Sequence, residues 1–184
     1  MGLQRKRIRV GPLPLNSINI QLETSTDIDV IDQLNREAFG GEGEPNLIKL
    51  LRNRNELLVS LIAAEDDTIV GHVCASPVSV DGTNHSIAGI GPLSVYELHR
   101  CRGIGGLLME EVIEQLKTDG CIAAVLLGNP NYYPRFGFKP ASQFDLQNEY
   151  GADDAFMAME LQPDALKNIG GMVQYVSAFA ECDA

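Results

Sequence analysis

Two short stretches of the chain hold residue types whose spacing could do chemistry. The first is Arg100-Cys101-Arg102-Gly103-Ile104-Gly105-Gly106, set between a β-rich run and an amphipathic helical run. Glycines at a helix start leave successive backbone N–H groups unshielded, and the helix dipole adds to their pull on an anion. Arg100 and Arg102 place two guanidinium groups beside this turn. Spacing then tests the familiar phosphate loops. A P-loop ends in Gly-Lys-Ser/Thr, whereas this turn ends in Gly105-Gly106-Leu107. A dinucleotide fingerprint starting at Gly103 needs a third glycine where Leu108 stands. Both fail, and a local anion site of the form Arg-x-x-Gly-x-Gly remains. The second stretch, Asn129-Pro-Asn-Tyr-Tyr-Pro-Arg-Phe-Gly-Phe138, is an aromatic turn with adjacent tyrosines at 132 and 133. Metal chemistry has no comparable motif. Cys74, Cys101, Cys121 and Cys182 are irregularly spaced, and His72, His85 and His99 show no ligand spacing with them.

The surrounding sequence predicts the elements that hold these stretches. Residues 18–22 alternate apolar and polar, as a half-buried strand should. Thr26 reads as the N-cap of a helix whose stripe is Ile28, Ile31, Leu34 and Phe39, stopped by Gly40-Gly41. A second helix follows Pro45 and ends near Asn53, burying Leu47, Leu50 and Leu51. Runs 57–64 and 68–79 read as a hairpin across a short acidic connector. A third run, 86–96, contains Gly89, Gly91 and Pro92, which suggests a bulge or splayed edge where a ligand approaches the backbone. Residues 103–116 read as a helix ended by Gly120, and 121–127 as a strand buried on both faces. A strand follows at 155–161, and 172–179 could be strand or helix. The order is mixed α+β rather than regular βαβ alternation.

Composition narrows the function without naming it. The 184 residues, 45% apolar and 21% charged, suit one domain with a real core. The net charge of -11 argues against binding nucleic acid by overall charge. Residues 1–22 hold four of the 14 cations (Arg5, Lys6, Arg7, Arg9) and no acid, leaving 10 cations against all 25 acids elsewhere. Residues 1–17 read as an irregular basic arm. No apolar run is long enough to span a membrane, no signal-peptide core is evident, and unpaired thiols suit a reducing compartment, so a cytoplasmic location is expected.

The pattern Arg100-x-x-Gly103-x-Gly105 before an amphipathic helix resembles the pyrophosphate loop of the GCN5-related N-acetyltransferase (GNAT) superfamily. Gly91-Pro-Leu-Ser-Val95 stands where that family's splayed strand stands, and the 129–138 stretch is similar to its tyrosine-bearing segment. Arg36-Glu-Ala-Phe39 and Tyr175-x-x-Ala-Phe179 resemble a YhbS-like bacterial branch. The likeness runs from Ile18 to Phe179. It implies an α+β fold, a mostly antiparallel sheet with splayed strands flanked by helices, forming a single N-acetyltransferase domain over 18–184. It also implies acetyl-CoA as co-substrate, no metal, and direct attack of a primary amine.

The resemblance further implies roles for particular residues. The N–H groups of Arg100, Cys101, Arg102, Gly103, Ile104, Gly105 and Gly106 would hold the pyrophosphate, with the Cys101 thiol taking no part in a direct transfer. Whether the Arg102 side chain touches phosphate or stays solvated is open. Leu93, Ser94 and Val95 would pair by backbone with the pantetheine arm, and Asn129 would bond to it. Tyr133 would protonate the leaving thiolate, unless Tyr132 is the exposed one of the pair. No general base is visible; His72, His85, Glu97 and His99 are candidates, and the family commonly deprotonates the amine through water. Glu37, Glu42 and Glu44 would suit a cationic amine or form a solvated acidic face. The alternative is an inactive CoA-binding sensor or interaction module of the same fold. The acceptor is left open as a small-molecule or protein amine, as is a homodimer through residues 172–179.

Overall fold

The alternation at the start forms an edge strand, β1 (Ile18–Leu22), with Ile18 and Ile20 packed toward the core. In this computed structural model the described residues are 18–182, so the basic arm at 1–17 lies outside them. Helix α1 (Ile28–Phe39) buries Ile31 and Leu34, and Gly40 closes it at a left-handed φ of 78°, its N–H reaching the Arg36 carbonyl. The expected Thr26 cap is not there. Asp27 holds the N-cap position without a side-chain bond to the helix. Its carboxylate accepts instead from the Thr24 N–H at 2.7 Å and hydroxyl at 2.8 Å, a local turn that competes with capping. Helix α2 (Gly43–Asn53) starts two residues before Pro45, which fits the first turn because its missing N–H would have no partner there.

Strands β2 (Val59–Glu65), β3 (Thr68–Val80) and β4 (Thr83–Val95) form a meander with two tight turns. Asp66 and Asp67 make the first and Asp81 and Gly82 the second, all four at positive φ. Two left-handed residues match the twist of the flanking strands. The second turn lets β4 begin at Thr83, upstream of the expected start at Ser86, and the Asp-Gly pair is the sequence signal for it. Helix α3 (Ile104–Thr118) leads to β5 (Ala123–Leu127). After the aromatic turn come β6 (Lys139–Pro140), β7 (Leu146–Asn148) and β8 (Phe156–Glu160). The first two of these are too short for periodicity to reveal. Residues 172–179 prove to be both alternatives, β9 (Gly171–Tyr175) followed by the start of α4 (Ala178–Cys182).

The sheet runs β1-β2-β3-β4-β5-β8-β6, with β9 added to the far end of β3 and β7 beside β9. Among the described residues only the β4–β5 and β7–β9 pairs are parallel. Helix α3 packs on the face carrying Leu61, Ala63 and Val73, while α1 covers Ile62 and Ile69 on the other. The feature that makes the site is a short pairing. β4 and β5 are joined only through Ile87↔Ala123, Ala88↔Ala124 and Gly89↔Val125. Beyond Gly89, β4 stays with β3 and β5 with β8, so the sheet splits. A bulge sets in at the same place, where Cys74 of β3 faces both Gly91 and Pro92.

A buried polar chain ties α1, β2 and β3 together. The Asn35 amide faces His72 Nδ1 at 3.4 Å, and His72 Nε2 meets the Ser60 hydroxyl at 3.0 Å. Ser60 donates on to the Glu23 carboxylate, which also takes a bidentate pair from Arg52. This direction of donation puts the His72 proton on Nε2. Burial keeps the ring neutral and pushes its pKa down from 6.5 to about 4. Burial works against the Glu23 carboxylate, but bonds from Arg52 and Ser60 outweigh it and hold that group below its usual range. A depressed histidine contributes stability that is complete above its unfolded pKa and is lost as pH falls toward the folded one. Unfolding free energy should therefore drop by about 3 kcal/mol between pH 6.5 and 4 from His72 alone, with Glu23 adding its loss only below 4.5. Urea unfolding at pH 7 and pH 5 checks this, because the drop in that window should vanish in His72→Gln.

Candidate active site

The 100–106 turn is held open by its own backbone. Cys101 at φ 59 and Gly103 at φ 85 are both left-handed, and they alternate with ordinary residues to form an anion-binding concavity. The Arg100 N–H is used by the Glu97 carbonyl and the Gly106 N–H by Gly103. Between them, the N–H groups of Cys101, Arg102, Gly103, Ile104 and Gly105 donate to no acceptor among the described residues. Five unspent donors at the start of a long helix are a strong anion site. The Ile104 side chain is buried in the core and fixes the loop to the sheet, while the Cys101 thiol is exposed.

The two arginines differ in employment. Arg102 forks onto Glu65 at the end of β2, and His99 lies 3.5 Å from the same carboxylate. Its charge is thus spent inside the protein, which corrects the picture of two free cations at the turn. Arg100 donates to the carbonyls of Val95 and Ala38, neutral partners that leave its charge uncompensated. A further cation comes from Arg135, which lies 4.4 Å over the Tyr132 ring and lines the same cavity of about 560 Å³ as Arg100. The sequence stretch contained Arg135, but only the fold turns it toward the loop.

The split between β4 and β5 opens a second cavity of about 260 Å³ next to the first. Ile90, Gly91, Pro92 and Leu93 form one wall, Leu126 and Leu127 the other. Ladder alternation distinguishes the three residues assigned to the strand edge. Tyr96 bonds to Val70 of β3, so Ser94, paired with His72, also directs its N–H and C=O at β3. Leu93 and Val95 turn theirs to the split, and the Val95 oxygen is occupied by Arg100. Leu93 is therefore the residue of the three whose two backbone groups both face the cleft and stay free. The Ser94 side chain is buried, its hydroxyl without a partner among the described residues.

The aromatic turn sorts its tyrosines between the two cavities. Tyr132 lines the loop cavity with Phe136, and Tyr133 lines the cavity in the split. The rings meet edge-on, 5.1 Å between centroids. Burial, aided by Tyr132, raises the Tyr133 phenol above its ordinary pKa, so it keeps its proton at neutral pH. Gly128 makes the placement possible, since a Cβ there would overlap the Tyr133 ring. Asn129 reaches neither cavity. Its side chain accepts from the Asn131 N–H and its carbonyl from Tyr132, so it shapes the turn. Of the base candidates, His72 is sealed in the core, His85 and Glu97 line neither cavity, and His99 lines the loop cavity beside Glu65.

A strand pair that parts to give a backbone-lined cleft, with a donor-rich helix start at one end and a phenol at the other, can hold an extended ligand with an anionic end. The model of the acetyltransferase (GNAT) domain matches residues 19–141, and the chain belongs to that family. Within it the chain belongs to a YhbS-like branch. The uncharacterized N-acetyltransferase YhbS of Escherichia coli K12 is 36% identical over 162 residues, covering 87% of this chain and 97% of its own. The structure of E. coli YhbS in complex with CoA matches with a TM-score of 0.86 at 34% identity, over 89% of this chain and 92% of that one. A GNAT-family acetyltransferase from Brucella melitensis in complex with acetyl-CoA matches at 0.76 and 34% identity, over 88% and 97%. Among the described residues no group of His, Cys, Asp and Glu is placed to hold a metal, and no helix is long and apolar enough to cross a membrane.

Proposed function

We propose that the protein is an acetyl-CoA-dependent N-acetyltransferase that acts on a primary amine by direct attack. The observation that carries this reading is the run of unspent N–H donors at 101–105 leading along the Leu93 edge to Tyr133. In it, these donors with Arg100 and Arg135 hold the pyrophosphate, and the Leu93 backbone pairs with the pantetheine amides. The Arg102 side chain, Ser94 and Asn129 act at one remove, by positioning the loop, the ladder and the turn.

The acceptor gives up its ammonium proton to water, and its nitrogen then attacks the acetyl carbon. A C–N bond forms as the C–S bond breaks. The departing thiolate takes the Tyr133 proton, and the phenolate regains one shed by the acylated nitrogen, so the products are an N-acetyl amide and free CoA thiol. The burial that raises the phenol pKa raises the basicity of a thiolate formed beside it, so the transfer stays matched. Isothermal titration should give acetyl-CoA and CoA affinities in the micromolar range and no binding of ATP. Absence of acetyl-CoA binding up to millimolar concentration would make the 100–106 turn purely structural and overturn the proposal.

A further inference from the structure

The cavity in the split does not end at Tyr133. Four rings also line it: Phe39 at the end of α1, Tyr150 before β8, Tyr175 on β9 and Phe179 in α4. Tyr175 meets Phe179 at a tilt, with centroids 4.7 Å apart, and Tyr150 at 5.9 Å. Gly89 makes room for this group, because a Cβ there would lie 2.6 Å from the Tyr175 ring. Three of the rings fall beyond residue 141, outside the stretch matched by the family model.

One acidic residue, Glu44, lines the cavity together with these rings. Glu37 accepts from Gln33, and Glu42 is paired with Arg36 across the α1–α2 turn. Glu44, in the first turn of α2, lines the cavity and has no hydrogen-bond or ion-pair partner among the described residues. No Lys, Arg or His lines the cavity among those residues. A carboxylate and the faces of aromatic rings both attract a cation.

Taking the acetyltransferase reading as given, we infer that the acceptor is a small arylalkyl monoamine, its ammonium received by Glu44 and its apolar body by the Phe39–Tyr150–Tyr175–Phe179 box. Size and charge both select it. About 260 Å³ lies just below the roughly 300–1,000 Å³ of drug-sized sites, and it must also hold the acetyl end of the donor. A polyamine would bring a second ammonium to walls that offer one carboxylate. A peptide lysine would bring polar backbone to apolar and phenolic surfaces, with the cost of leaving it unpaired.

The test titrates the full-length protein with 2-phenylethylamine, 2-phenylethanol, spermidine and a lysine peptide, each with and without saturating CoA, beside a separate acetyl-CoA titration. Phenylethylamine should bind about tenfold or more tightly than the alcohol, spermidine or the peptide. Glu44→Gln should abolish its advantage over the alcohol. Phe39→Ala, at a ring already 44% exposed and so safe for folding, should weaken both ligands alike. Tighter binding of spermidine or the lysine peptide, or an unchanged preference in Glu44→Gln, overturns the inference. The acetyl-CoA titration separates the two failures. Acetyl-CoA binding without amine preference removes this inference alone, whereas amine binding without acetyl-CoA binding removes the acetyltransferase reading and keeps the box.

Discussion

Replacing Tyr133 by Phe should lower kcat by about 10²- to 10⁴-fold, the usual contribution of a positioned general acid, and leave acetyl-CoA affinity within a factor of about three. The substitution removes one oxygen from a ring whose packing against Tyr132, Phe136 and Phe138 stays intact, so folding is not the variable. Thiol release under saturating acetyl-CoA and amine measures the loss. A second readout separates chemistry from packing. If the phenol protonates the thiolate, an acetyl donor with a more acidic leaving thiol should recover rate in Tyr133→Phe more than in the native protein. Unchanged turnover would remove Tyr133 from the mechanism. Tyr132→Phe is the matched comparison, since Tyr132 faces the loop cavity and should affect donor binding rather than kcat.

Gly103→Val should weaken acetyl-CoA binding about 100-fold or more. A β-branched residue does not adopt a φ of 85°, so the turn must re-route and swing the N–H groups of residues 103 and 104 away from the anion. Two charge-assisted hydrogen bonds at about 1.5–3 kcal/mol each account for that loss. The backbone strain itself should cost about 1–3 kcal/mol of stability, which a domain of this size survives. Gly120→Val provides the control. It carries the same φ of 85° at the opposite end of α3, so it should lower the unfolding midpoint similarly and leave acetyl-CoA affinity unchanged. Equal affinity losses in both variants would show that the effect is global and that the loop donors bind nothing.

The two cavities differ in how far the sequence revealed them. The anion loop was legible because its chemistry is local: glycine spacing, a helix start and adjacent arginines lie within seven residues. The bulge at Gly91-Pro92 was legible for the same reason, as both residues disrupt a ladder wherever they stand. Charge was less legible. Arg102 looked as available as Arg100, but Glu65 is 37 positions away in sequence and nothing local announces their pairing. Ser94 looked equivalent to its neighbours until the ladder register turned its backbone to β3.

The sequence by itself determined the mixed α+β class, the helix stripes, most strand positions and the loop that can hold an anion, since each rests on periodicity or spacing over short distances; the family was reached through the resemblance of the 91–95, 100–106 and 129–138 stretches to known motifs. Tertiary structure alone decided that β4 and β5 part after three paired residues, that Tyr133 rather than Tyr132 enters the gap, and that Glu44 rather than Glu37 or Glu42 meets a box of four rings. Those rings stand at positions 39, 150, 175 and 179, and they converge because β9 pairs with the far end of β3 and lays Tyr175 over Gly89. Non-local strand pairing places such residues together, and the local alternation that marks a strand does not say which partner it takes.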